Sequence, residues 1–251
     1  MAIMPTVTSI AVRRLIMNDP RDIAPIALLR LQSWLSPAFP TGSYSYSHGL
    51  EWAVEAECVH DRESLVDWLE ADLSYGSGRN EAIFFVESWR CAMDDDRAKL
   101  FEVAQLAVAF RGTSELALES SQQATACLAT LRQVWPDCVL DWLSEVLRED
   151  GFHPVLAVVL GVCSARHGVP VSLALPAFLQ SHVVNWVTAG VRLVPLGQTD
   201  AQLAIAKLEE AVLAACACAV RATRDDLGSA AFMVDLASIR HETQYTRLFR
   251  S

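Results

Sequence analysis

Residues 201–220, AQLAIAKLEEAVLAACACAV, read as an uninterrupted helix: alanine dominates, other strong helix formers follow, and neither proline nor glycine interrupts. Glu102–Phe110 carries the same alanine-rich signature. No stretch of the chain alternates apolar and polar residues over strand length between turn signals. The expected fold class is therefore all-α. Working outward, Asp61 is placed to cap a helix in which Leu65, Leu69 and Leu73 share one face, and Gly76-Ser77-Gly78 ends it. Asp22 is placed to cap an earlier helix that runs through Trp34 and stops at Ser36-Pro37. Further helices are expected near 79–93, 97–110, 114–134, 137–149, 154–166, 172–193 and 200–223, each bounded by Gly, Pro, Asp or Ser. Connections of about two to six residues imply neighbouring helices packed on one another. The expected architecture is a single-domain bundle of about nine or ten helices over residues 23–224. Residues 1–22, with Pro5 and an Asn18-Asp19-Pro20 turn, read as a mobile N-terminal arm, and residues 225–251 as a C-terminal partner-docking tail.

Composition narrows the function classes. Apolar residues make up 52% of the 251. The longest uncharged apolar stretch, around Val155–Ala165, is well short of the roughly 18 residues that span a bilayer. That surplus must be buried internally or against a partner, which predicts oligomerisation. A net charge of −10 argues against nucleic acid, whose phosphates are held by Lys and Arg. Arg13 and Arg14 stand alone, too few for an anionic-membrane patch. The 7 cysteines are scattered without disulfide spacing, and no apolar signal segment develops after Arg13-Arg14, so a reduced, cytoplasmic chain is expected.

Motifs that carry chemistry are sparse. A phosphate loop needs Gly followed by Lys and Ser/Thr, and no Gly-Lys pair occurs; Gly76-Ser77-Gly78 reads as a helix cap and turn. Cys-x-x-Cys, His-x-His and His-x-x-x-His are absent. Cys163 and His167 lie four apart and could face one ion, yet a core cysteine and a C-terminal helix histidine explain them as well. Asp94-Asp95-Asp96 suggests half of a magnesium-diphosphate motif, which makes a helical magnesium-dependent isoprenoid-diphosphate enzyme the catalytic alternative. Its spacing is wrong for one helix face, and a solvated turn with an N-cap accounts for it. Ser47-His48 lacks a nucleophile-elbow pattern. The expectation is no catalytic, cofactor or metal site in this chain.

Two segments are too aromatic for solvated loops. Ser36–Glu51, SPAFPTGSYSYSHGLE, sets Phe39, Tyr44, Tyr46 and His48 among two prolines and two glycines. Ile239–Ser251 carries Arg240, His241, Tyr245, Arg247, Phe249 and Arg250, residue types that dominate binding hot spots. Such a tail is made to dock, on its own domain or on a partner.

These two strings, with Pro195–Gln202 (PLGQTDAQ) between them, resemble the UreF family of urease accessory proteins in order and spacing. The similarity runs over residues 26–251 and is weaker between Cys58 and Arg111. Ser43 and Tyr44 stand where the family often has Gly and Phe. The resemblance implies a non-enzymatic, all-α homodimer that binds UreD (also called UreH) and recruits the GTPase UreG, so that nickel reaches apo-urease. Nickel and GTP would then be handled by partner proteins. It also implies partner contacts in the aromatic segment and the tail, which singles out Tyr44, Tyr46, His48, Arg240, His241, Tyr245, Arg247 and Arg250. The tail is expected to order on complex formation.

Overall fold

The computed structural model describes residues 24–251; the expected arm at residues 1–22 and the expected cap Asp22 lie outside the described residues. Among the described residues there are eleven α-helices and no strand. In chain order they are α1 Pro25–Trp34, α2 Leu50–Glu55, α3 Arg62–Tyr75, α4 Ser77–Met93, α5 Arg97–Ala109 and α6 Ser114–Val134, then α7 Cys138–Glu149, α8 Leu156–Arg166, α9 Val171–Leu193, α10 Gln198–Arg221 and α11 Phe232–His241. Helices α2 and α11 raise the count above nine or ten. The first is only six residues long and the second lies in the tail, so neither shows a sustained apolar period.

Local chemistry starts these helices. The Asp61 side chain accepts from the Ser64 amide at 2.8 Å while Ser64 Oγ accepts from the Asp61 amide at 3.0 Å, a reciprocal capping box. Asp96 caps α5 through the Lys99 amide, Thr113 caps α6 through that of Leu116, and Asp137 caps α7 through that of Val139. Asp94–Asp96 is thus the turn between α4 and α5, with one carboxylate committed to a helix end.

Helix α4 is the axis of the bundle and is buried on nearly every face, from Gly78 through Phe84 and Phe85 to Ala92. Its companion α8 is buried from Ala157 to Ala165, and the two cross at Gly161, where an added Cβ would lie 2.5 Å from the Phe85 carbonyl oxygen. Helices α3, α5, α9 and α10 pack around α4, α6 and α7 cover α8, and α11 lies on α2. Such all-round burial takes up much of the apolar content, while Leu29, Leu118, Phe232, Ile239 and Leu248 stay exposed.

The break between α3 and α4 is a single residue, Gly76. Buried Asp72 accepts there from the Ser77 amide at 3.0 Å, the Ser77 hydroxyl at 2.9 Å and the Gly78 amide at 3.0 Å. A Cβ at Gly76 or Gly78 would fall within 3 Å of its carboxylate oxygens. Gly76-Ser77-Gly78 therefore leaves room for a carboxylate from this chain at the N-terminus of α4. Burial pushes the Asp72 carboxyl above its ordinary range, against the pull of His48 and of these hydrogen bonds.

Candidate functional site

After α1 the chain turns at Pro37 and Pro40, and Phe39 is buried against the Trp135 ring at 6.4 Å. Two successive residues with positive φ, His48 at 54° and Gly49 at 76°, then reverse it into α2. The second must be glycine, because a Cβ there would sit 2.5 Å from the Ser238 amide nitrogen of α11. The segment Ser43–Glu51 and helix α11 are thus joined backbone to backbone.

The tail continues that seam. The Leu248 and Phe249 amides donate to the two oxygens of Glu51 at 2.6 and 2.8 Å. The Arg250 amide donates to the Ser45 carbonyl at 2.9 Å, and the Ser47 amide and hydroxyl donate to the Ser251 carbonyl at 2.7 and 2.5 Å. Phe249 is buried beneath the Arg192 guanidinium, 4.4 Å from its ring centre, and Arg192 also donates to the Tyr44 carbonyl at 2.8 Å. Residues 240–251 are seated on their own domain.

Helix α6 supplies the opposite wall with Glu115 and Glu119, one turn apart. His241, at 0% exposure, sets Nδ1 2.6 Å from Glu115 and Nε2 3.3 Å from Glu51. Arg247 donates to the other oxygen of Glu115. Glu119 accepts from the Ser251 hydroxyl at 2.5 Å and from Gln123 at 2.7 Å, and His48 Nδ1 lies 3.2 Å from it. Carboxylates this deep need charged or hydrogen-bonding partners, and the two histidines with Arg247 provide them. Burial opposes a charge on His48, but Glu119 outweighs it with help from Asp72 and Glu81, so its imidazole pKa is raised.

Beside the seam opens a cleft of about 760 Å³. Its polar wall is His48, Asn80, Glu81, Arg111, Glu119 and Gln123, with Arg111 paired to Glu81; Leu31, Phe84, Phe110 and Leu156 form its apolar side. Among the described residues no group of three or more His, Cys, Asp and Glu is arranged to hold a metal ion, and no helix is long and apolar enough to cross a membrane. Cys163 is sealed in the core, while His167 Nδ1 lies 3.1 Å from Arg30.

A family model, UreF, matches residues 59–209, the helical body. The urease accessory protein UreF of Rhodopseudomonas palustris BisB5 is 50% identical to this chain over 90% of its length and 91% of the relative's. That of Bradyrhizobium diazoefficiens is 48% identical, over 90% and 92% of the two lengths. The chain belongs to the UreF family. These relatives are named as accessory proteins.

In this UreF-family chain the eight residues singled out from the sequence divide by direction. Tyr46, His48, His241 and Arg247 meet at the seam: Tyr46 is buried and donates to Gln122 at 2.5 Å, and the other three face Glu119, Glu51 and Glu115. Tyr44, Arg240, Tyr245 and Arg250 do not join them; their side chains are exposed, Tyr44 at 74% and Tyr245 at 102%. Sequence reading missed Ser47, Glu51, Glu115 and Glu119, which hold the UreF-family tail in place. Glu115 and Glu119 carry one usable signal, two acids four apart on a helix, but that spacing also describes a solvated face.

Proposed function

We propose that this chain is a non-enzymatic scaffold of urease maturation. It works in the cytoplasm as a homodimer, binds UreD (UreH) and recruits UreG, and the assembly performs GTP-dependent nickel insertion into apo-urease. Nickel and GTP are handled by the partner proteins. Identity of 50% over nine-tenths of the chain to a named urease accessory protein carries this reading.

The seam supports a refinement of the contact face. Tyr44, Arg240, Tyr245 and Arg250 turn outward as an aromatic and basic patch on a chain of net charge −10, and Tyr and Arg supply binding energy out of proportion to their number. His241 and Tyr46 serve the same face from beneath by shaping the seat. Deleting residues 240–251 would strip buried His241 and Phe249 from the interior and would confuse binding with folding. The sharper test replaces Tyr44, Tyr245 and Arg250 together by alanine. Co-purification with UreD should be lost while the circular dichroism and Tm stay those of the parent. Undiminished capture of UreD by the triple variant would remove the patch, and failure of the parent to form a complex with UreD and UreG would remove the reading itself.

A further inference from the structure

Arg192 stands in the last turn of α9, outside the aromatic turn and the tail, yet it touches both. Its guanidinium lies over the Phe249 ring, 4.4 Å from the ring centre, and donates to the Tyr44 carbonyl at 2.8 Å. One N–H of the fork is thereby engaged and one face of its plane is covered. Arg62, Arg90, Arg132 and Arg224 have each found a carboxylate of this chain. Arg192 is exposed and makes no ion pair among the described residues, although acids outnumber bases by 30 to 20.

The two segments do not depend on Arg192 for their place. The Leu248 and Phe249 amides are held by Glu51, the Arg250 amide by the Ser45 carbonyl, and the Ser251 carbonyl by Ser47. The seam therefore orders the guanidinium, and a side chain that would otherwise lose its rotamer freedom on binding is already in place. A planar cation with N–H groups along its edge matches a carboxylate, whose two oxygens it can meet in parallel. Charge on the surrounding elements has the sign that this requires. Helix α9 and residues 36–50 contain no acidic residue, and residues 242–251 contain Glu242 alone, turned away onto the Ser114 amide and hydroxyl at 2.8 and 2.7 Å. Glu51 lies buried beneath, committed to the tail amides. Exposed Arg250 follows Phe249 directly, and Tyr44 stands 74% exposed at the other end of the contact. A basic, aromatic spot is thus built into a chain of net charge −10.

We propose that Arg192 is a binding residue of this face and that its occupant is a carboxylate, an aspartate or glutamate side chain of the partner protein, received along the free edge of the guanidinium. The proposal rests on the reading that this face meets UreD. It adds a residue that lies in neither of the two segments and states the chemistry of the group that docks there. The competing role is internal: a clamp that keeps Phe249 and the Tyr44 carbonyl together and touches no partner.

The test is the affinity of the full chain for UreD over a range of salt concentrations, for the parent, Arg192→Gln, Arg192→Lys and Arg221→Gln. Arg221, exposed in the last turn of α10, removes the same charge elsewhere. At low salt Arg192→Gln should bind UreD roughly tenfold or more weakly, as loss of a charge-assisted bond implies, while Arg221→Gln stays within about twofold of the parent. The affinity of Arg192→Gln should also depend less steeply on salt, a change that an internal clamp would not produce. Arg192→Lys keeps the charge without the planar fork, so it should fall between the two and keep the parental salt slope. Binding of Arg192→Gln equal to that of Arg221→Gln overturns the proposal, and so does weaker binding with the parental salt slope, which assigns Arg192 to the clamp. In both of those outcomes the parent still binds UreD and the wider reading stands; a parent that does not bind UreD removes that reading and this inference together.

Discussion

Consider Gly49→Ala. The residue holds φ at 76°, where an L side chain costs roughly 1–2 kcal/mol. The new Cβ would also stand 2.5 Å from the Ser238 amide nitrogen and 2.8 Å from the Ala237 carbonyl carbon and the Ser238 Cα. Those are backbone atoms of α11 and cannot rotate away, so relief requires the helix to shift, an overpacking cost of about 1–3 kcal/mol. The sum, about 2–5 kcal/mol, is a large share of the roughly 5–15 kcal/mol that stabilises a domain. Gly42→Ala is the internal control: it has φ of 71° and nothing within 4 Å of its added Cβ, so it pays only the backbone strain. Urea unfolding of both variants should place Gly49→Ala lower by about 1–3 kcal/mol. Because α11 carries the tail, trypsin should also cut Gly49→Ala after Arg240 and Arg247 roughly tenfold faster than Gly42→Ala. Equal stabilities, or equal cleavage rates, would mean that α11 does not rest on the Gly49 backbone.

The other predictions concern the carboxylates and the pH response. Glu51→Gln keeps one acceptor oxygen where the buried amides of Leu248 and Phe249 each bond a separate carboxylate oxygen, so it should lose about 3 kcal/mol in chemical denaturation. Exposed Glu63→Gln should stay within about 0.5 kcal/mol of the parent. The His48 pKa is raised in the folded chain, so its contribution is complete below its unfolded value of about 6.5 and is lost as pH rises through the higher folded value. A Tm series across that window should therefore slope downward for the parent and less so for His48→Gln; parallel slopes would assign the response to other groups.

The helical class was legible in the sequence because its signals are local. Alanine content in 201–220 and side-chain caps at Asp61, Asp96 and Asp137 act within a few residues of their own position, and each starts or sustains a helix where it was expected. The seam was legible only as composition. Tyr44, Tyr46, His48 and the Arg-rich tail stood out as too aromatic or too basic for loops, yet nothing local told inward Tyr46 from outward Tyr44, two positions apart.

Length and helical period thus determined, from sequence, that this chain builds an all-α bundle, and the matched strings placed it in its family. Tertiary structure alone decided that the tail closes on Glu51, that Gly49 admits the α11 backbone, and that His241 lies between two acids. The physical reason is separation along the chain: His241 meets Glu51 across 190 residues and Glu115 across 126. Whether a glutamate is a solvated face or a buried anchor depends on what folding brings to it, and that partner is fixed by the path of the helices and not by its neighbours in sequence.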